Sequence, residues 1–190
     1  MKLHYGGKYE KEEDLKGEKI FHEGSVAFKE PEATKFAILA NAGSFVVAII
    51  LLVIIGFVSG RGIRDILIRV GFAGIISMAL LLPHEFLHAL CFKEDVYLYL
   101  DPAKMLAFVH GTEDFSKARF VFMSLLPNIV FGVIPYVLFL IHPQWLLLGM
   151  TGAVCIGMGC GDYINVFNAL TQMPKGAKTY LYGFHSYWHK

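Results

Sequence analysis

The chain has 190 residues, 55% of them hydrophobic and only 17% charged, with a formal net charge of +1. Soluble domains carry about 25% charged residues, so this balance excludes a disordered protein, a solvated charged coil and an acidic tail-like module. It also gives no footing for nucleic acid. Cys91, Cys155 and Cys160 all lie in apolar runs and read as small buried hydrophobes, not as a disulfide framework.

Residues 1–35 are polar, with lysines interleaved among acids, and form a segment of their own before the first apolar run. That run comes too late for a cleaved signal peptide, so the chain is expected to insert through its own first helix. Phe36 to Val58 carries no charge, and neither does Phe120 to Ile141. Val70 to Phe92 has only His84, Glu85 and His88 as ionisable acid or imidazole groups, and Trp145 to Leu170 has only Asp162. A helix needs about 20 apolar residues to cross a bilayer core of roughly 30 Å. The expectation is an all-α membrane protein of about four transmembrane helices over residues 36–170. A small β-hairpin is expected at about 96–110, between the second and third helices. There two β-prone runs, Val96–Leu100 and Met105–His110, flank Asp101-Pro102. Residues 171–190 form a tail.

Lysine and arginine set the orientation. Residues 1–35, the loop holding Lys93, Lys104, Lys117 and Arg119, and the tail fall on one side; Arg61, Arg64 and Arg69 fall on the other. The positive-inside rule puts both termini in the cytosol of a multi-pass cell-membrane protein.

The second span contains Pro83-His84-Glu85-Phe86-Leu87-His88. Residues four apart share a helix face, so His84 and His88 can present two imidazoles to one ion. Glu85, about 100° round the helix, is placed to act on a water held by that ion, the arrangement of a metal-dependent amide hydrolase. Polar groups are costly inside a membrane helix, which strengthens the reading. Interhelical hydrogen bonding or a helix end at the membrane surface would place the same residues there without metal. Two histidines leave a catalytic zinc site one protein ligand short. Glu94, Asp95, His110, His142, Asp162 and the tail offer candidates. Depth favours Asp162: His84 and Asp162 each lie about 12 Å before the end of their spans, which run in the same direction.

Gly157, Gly159 and Gly161 precede Asp162 and suit close packing, expected here against the second span. Asn128, after Pro127, is a candidate contact for substrate or for a tetrahedral oxyanion, or a tie between two helices.

The stretch "LLPHEFLHALCF", the β-prone loop, "LLPN" and "GCGDYINVF" resemble the bacterial "putative zincin peptidase" family of small membrane proteins. The resemblance runs from about Phe36 to the tail. More distantly the chain is similar to the site-2 protease group of intramembrane zinc metalloproteases. That likeness implies zinc held by His84, His88 and Asp162, with Glu85 as base. The Gly-Cys-Gly-Asp here departs from the Asn-Pro-Asp-Gly of that group, which bears on substrate class and gating and leaves the metal chemistry intact.

The function expected is therefore a membrane-embedded zinc metalloprotease. Its substrates would be proteins or peptides in or at the lipid bilayer. A non-enzymatic, metal-stabilised membrane adaptor or regulator is the alternative. A zinc transporter fits less well, since the outer halves of the spans are almost free of ligand groups.

Overall fold

The computed structural model describes residues 2–17, 20–30, 32–101, 106–182 and 185–190. It is mostly helical, with small sheets. Strand β1 is Lys2–Gly7 and β2 is Val26–Ala27; α1 is Ala33–Ser59, α2 Ile63–Ala79 and α3 Leu81–Leu90. Then follow β3 (Asp95–Asp101), β4 (Leu106–His110), β5 (Phe115–Ser116) and α4 (Lys117–Pro127). A π-helical turn at Asn128–Val133 leads into α5 (Ile134–Ile141), α6 (Leu146–Met158) and α7 (Cys160–Gln172). Strands β6 (Lys178–Tyr182) and β7 (His185–His189) complete the chain.

The chain divides into two compact units, with boundaries inside α3, α4 and α7 and just ahead of α1. One unit comprises residues 31–84 and 125–164. Within it α6 is the buried helix, packed by α1, α2, α5 and the π turn. Its core joins Ile55, Ile66, Ala73, Tyr136, Phe139, Met150 and Ala153. The helix α1 buries little besides Ile55 and leaves Phe45, Ile49 and Phe57 exposed.

Among the described residues, three helical stretches are long and apolar enough to cross a membrane, spanning Thr34–Ser59, Ile63–Leu90 and Lys117–Ile141. The pair α6 and α7 makes a fourth if counted as one span, bent by 50°. The second stretch begins ahead of the apolar run read from Val70. It takes in Asp65 and Arg69, whose side chains pair at 2.9 Å one turn apart and so lower the cost of being there.

The other unit comprises residues 1–30, 85–124 and 165–190. It holds a three-stranded sheet in the order β1-β3-β4 and a four-stranded sheet in the order β2-β7-β6-β5. Strands β3 and β4 pair antiparallel, from Tyr97 opposite His110 to Asp101 opposite Leu106. The turn between them, with Pro102 and Met105, lies outside the described residues. The N-terminal segment and the tail, featureless in the sequence, both supply strands: β1 runs parallel to β3, and β7 pairs with β2 and β6.

Candidate metal centre

The helix carrying the histidines owes its start to a break. Leu80 closes α2, its N–H shared between the carbonyls of Ile76 and Met78. The chain restarts at Leu81, which puts Pro83 in the first turn of α3, where a missing N–H costs little. His84 and His88 are then one turn apart. Their ligand atoms and that of Glu85 lie within 4.8 Å of one another.

Each of these side chains is held. His88 Nδ1 stands 2.9 Å from the carbonyl oxygen of Met123. In an uninterrupted helix that carbonyl would accept from the N–H of residue 127, and Pro127 has none. The proline therefore leaves an acceptor open on α4, and His88 fills it. With Nδ1 carrying the proton, Nε2 is left as the electron-pair donor. Glu85 is buried, and its Oε2 accepts from the backbone N–H of Val109 at 3.1 Å. Val109 lies on β4, which has β3 on one side only, so this N–H points outward from the sheet.

The end of α3 is fixed by charge. Arg119 donates to the carbonyl of Cys91, just past the helix, and to the carboxylate of Glu113. Glu113 also accepts from the N–H groups of Lys93 and Glu94. Burial pushes the Glu113 carboxyl up, but Arg119 and the two amides outweigh it and hold it below the usual glutamate range.

His84 meets Asp162, the first-turn acid of α7, with Nε2 3.4 Å from Oδ2. Two atoms bound at about 2.0–2.1 Å to one tetrahedral ion lie about 3.3 Å apart. The same Oδ2 accepts from Asn128 Nδ2 at 2.8 Å. Asn128 is buried at the opening of the π turn, a local widening frequent at functional sites. The sequence offered it as a contact for substrate or oxyanion; the structure gives its amide Asp162 as partner.

The glycines have different neighbours from the second span. A Cβ on Gly159 would fall 1.7 Å from Asn128 Oδ1, and one on Gly157 would fall 2.7 Å from the carbonyl oxygen of Ser44 on α1. Gly161 faces open space. The small residues thus bring α6 against α1 and seat Asn128.

Most of the remaining ligand candidates stand beside other residues. The N–H of Glu94 donates to Glu113, Asp95 stands 3.4 Å from His4, and His142 packs on Trp145 at the α5–α6 turn. His110 is buried on β4 opposite Tyr97. The sequence reading missed the parts played by Met123, Val109 and Arg119, whose contacts run through backbone atoms or long side chains that carry no motif. It also missed a second group of ligand type, His22, Asp114 and His189. Those residues are remote from one another in the chain, so no spacing announces them.

The donors suit zinc. Imidazoles with a carboxylate are one of its common catalytic sets, and His88 carries the backbone hydrogen bond that orients such ligands.

Residues 76–178, more than half of the chain, match the family described as "Putative zincin peptidase", and the protein belongs to that family. The family describes a metallopeptidase and implies zinc as its cofactor. No curated protein and no solved structure matches, and nothing in these comparisons ties the chain to the site-2 proteases.

Proposed function

We propose that the protein is a membrane-embedded zinc metallopeptidase that cleaves peptide bonds of membrane or membrane-associated proteins. The observation that carries this is the 3.4 Å approach of His84 Nε2 to Asp162 Oδ2, beside a His-Glu-x-x-His helix in a chain of this family. His84, His88 and Asp162 are assigned as zinc ligands and Glu85 as general base. The exposed apolar side chains of α1 and α2 favour a lipid setting, since soluble monomers rarely expose so continuous an apolar surface. The lysine and arginine distribution favours cytosolic termini.

Zinc at this site would polarise the scissile carbonyl and bring the pKa of a bound water towards neutrality. Glu85 takes the proton from the attacking water and returns it to the leaving amine. The hydrogen bond from Val109 occupies Oε2 and leaves Oε1 to take that proton. A substrate strand added along the outer edge of β4 would compete for that N–H, coupling arrival of the peptide to release of the base. Asn128 keeps Asp162 turned toward His84, and Met123 keeps His88 in one tautomer.

The test is cleavage of a membrane-protein substrate by the purified protein in detergent or vesicles. Activity is expected in the wild type and absent in Glu85→Gln with zinc retained. Equal activity in the two would refute Glu85 as the base, and none in a zinc-loaded wild type against a broad membrane-protein panel would favour the non-enzymatic regulator.

A further inference from the structure

The geometry points to a second divalent-metal site, formed by His22, Asp114 and His189, that clamps the N-terminal segment to the tail within the sheet-bearing unit. All three residues belong to that unit, and none lies in an apolar helical stretch. His22 follows the Glu12–Asp14 turn, Asp114 immediately precedes β5, and His189 ends β7. Strands β5 and β7 flank β6, with Ser116 and His189 both opposite Lys178, so the last two residues reach the same end of that strand from either side.

His189 Nε2 lies 3.1 Å from Asp114 Oδ2, and His22 Nε2 lies 3.5 Å from Asp114 Oδ1. The three ligand atoms fall within 4.8 Å of one another. These separations bracket the roughly 3.3 Å expected for ligands of one tetrahedral ion. Asp114 Oδ1 is screened from solvent, and among the described residues it has the long 3.5 Å contact to His22 but no hydrogen bond, so a cation would serve it better. Tyr180 supports the site from below: its hydroxyl accepts from the N–H of His22 at 3.2 Å and donates to Ser25 Oγ at 2.9 Å. His22 is 37% exposed, which leaves a route for the ion.

Two features set what loading requires. The rings of His22 and His189 are stacked, with centroids 4.2 Å apart and planes 14° from parallel. An ion must lie near the plane of each imidazole that binds it, so one ring rotates on binding and the stack opens. Lys178 Nζ stands 3.5 Å from Asp114 Oδ2 and competes for the same carboxylate. Two imidazoles and one carboxylate favour zinc or a neighbouring transition ion over calcium or magnesium.

The experiment is a cobalt(II) titration, followed by visible absorption, of the full chain purified in detergent and stripped of metal. Two equivalents are expected in the wild type. One is expected in His84→Ala/His88→Ala, one in His22→Ala/His189→Ala, and none when all four are changed. In His84→Ala/His88→Ala, added zinc should also raise the melting temperature, as a ligand specific to the folded state must. Lys178→Met should tighten the remaining site by up to about fivefold. Should His22→Ala/His189→Ala fail to fold, the near-isosteric Asp114→Asn replaces it, with binding at this site weakened at least about tenfold. A folded His84→Ala/His88→Ala protein that binds no cobalt would overturn the second site and leave the peptidase centre standing. One equivalent persisting undiminished in Asp114→Asn made on that background would also overturn it. Loss of the first equivalent's dependence on His84 and His88 would instead strike the peptidase reading.

Discussion

His88 Nδ1 sits 2.9 Å from the carbonyl oxygen of Met123, the acceptor on α4 that Pro127 cannot reach. A helix breaker and a metal-ligand candidate are therefore linked through one backbone atom. Pro127→Ala restores a donor to that carbonyl and sets it in competition with the imidazole. Zinc affinity is expected to fall by about tenfold, as when an orienting partner of a ligand is lost. Chelator competition measures it, and an unchanged Kd would make the His88–Met123 bond incidental to metal binding.

Gly159 and Asn128 form one device for aiming Asp162. Asn128→Ala removes the 2.8 Å donor to the carboxylate and should weaken zinc binding by about 10- to 100-fold. Gly159→Ala drives a methyl into the Asn128 amide and should cost about 1–3 kcal/mol of stability while loosening the metal. Because both act through one side chain, the double variant should fall well short of additivity. Additive losses in melting temperature and affinity would show two separate roles.

Glu85→Gln keeps an oxygen that can accept from Val109 and keeps both histidines. Fold and zinc content should match the wild type, while peptide cleavage falls by about 10²–10⁴-fold. Metal analysis beside a cleavage assay checks both halves, and a loss of zinc would reassign Glu85 as a ligand.

Glu113 makes acid stability a probe of the α3 terminus. Its carboxyl is held below the unfolded value of about 4.3. A depressed pKa contributes stability that is fully present above the unfolded value. That contribution is lost as pH falls from there through the folded value. Arg119→Met leaves Glu113 buried and unpaired, and should cost stability near neutral pH towards the lower end of about 3–5 kcal/mol. It should also flatten the acid limb of the melting curve. Melting temperatures from pH 3 to 7 decide, and parallel wild-type and variant curves would refute the linkage.

The apolar stretches and the His-Glu-x-x-His pair were legible because hydropathy and a one-turn spacing are local properties. Asp162 was legible because a lone acid in an apolar run stands out, and matching depth supplied its neighbour. The last span does pack on α2 as expected, but its glycines face other neighbours. An apolar helix such as α6 shows no polar side from which its rotation can be read, so Gly157 pointed as plausibly at α2 as at Ser44. The break at Leu80 was hidden because Pro83 suits a first turn as well as a kink. The sheets were hidden for a different reason: β2 and β5 are two residues each, and β1 finds β3 far along the chain. Such strands take their conformation from partners and leave little mark on their own composition.

The helix α1 meets its neighbours along a narrow line. A Cβ on Gly43 would come within 3.2 Å of Cys160 Sγ, Ser44 and Ala48 flank Gly157, and Ile55 is sealed in the core. Leu51 and Leu52 also lean on the core, and the rest of the helix presents mostly bulky aliphatic and aromatic groups outward. Exchanges among leucine, isoleucine, valine and phenylalanine on that outer surface should pass without effect, whereas enlarging Gly43 or Ala48 by a few carbons should pry the bundle apart. Tolerance to substitution should thus be wide over most of this helix and almost nil along one seam.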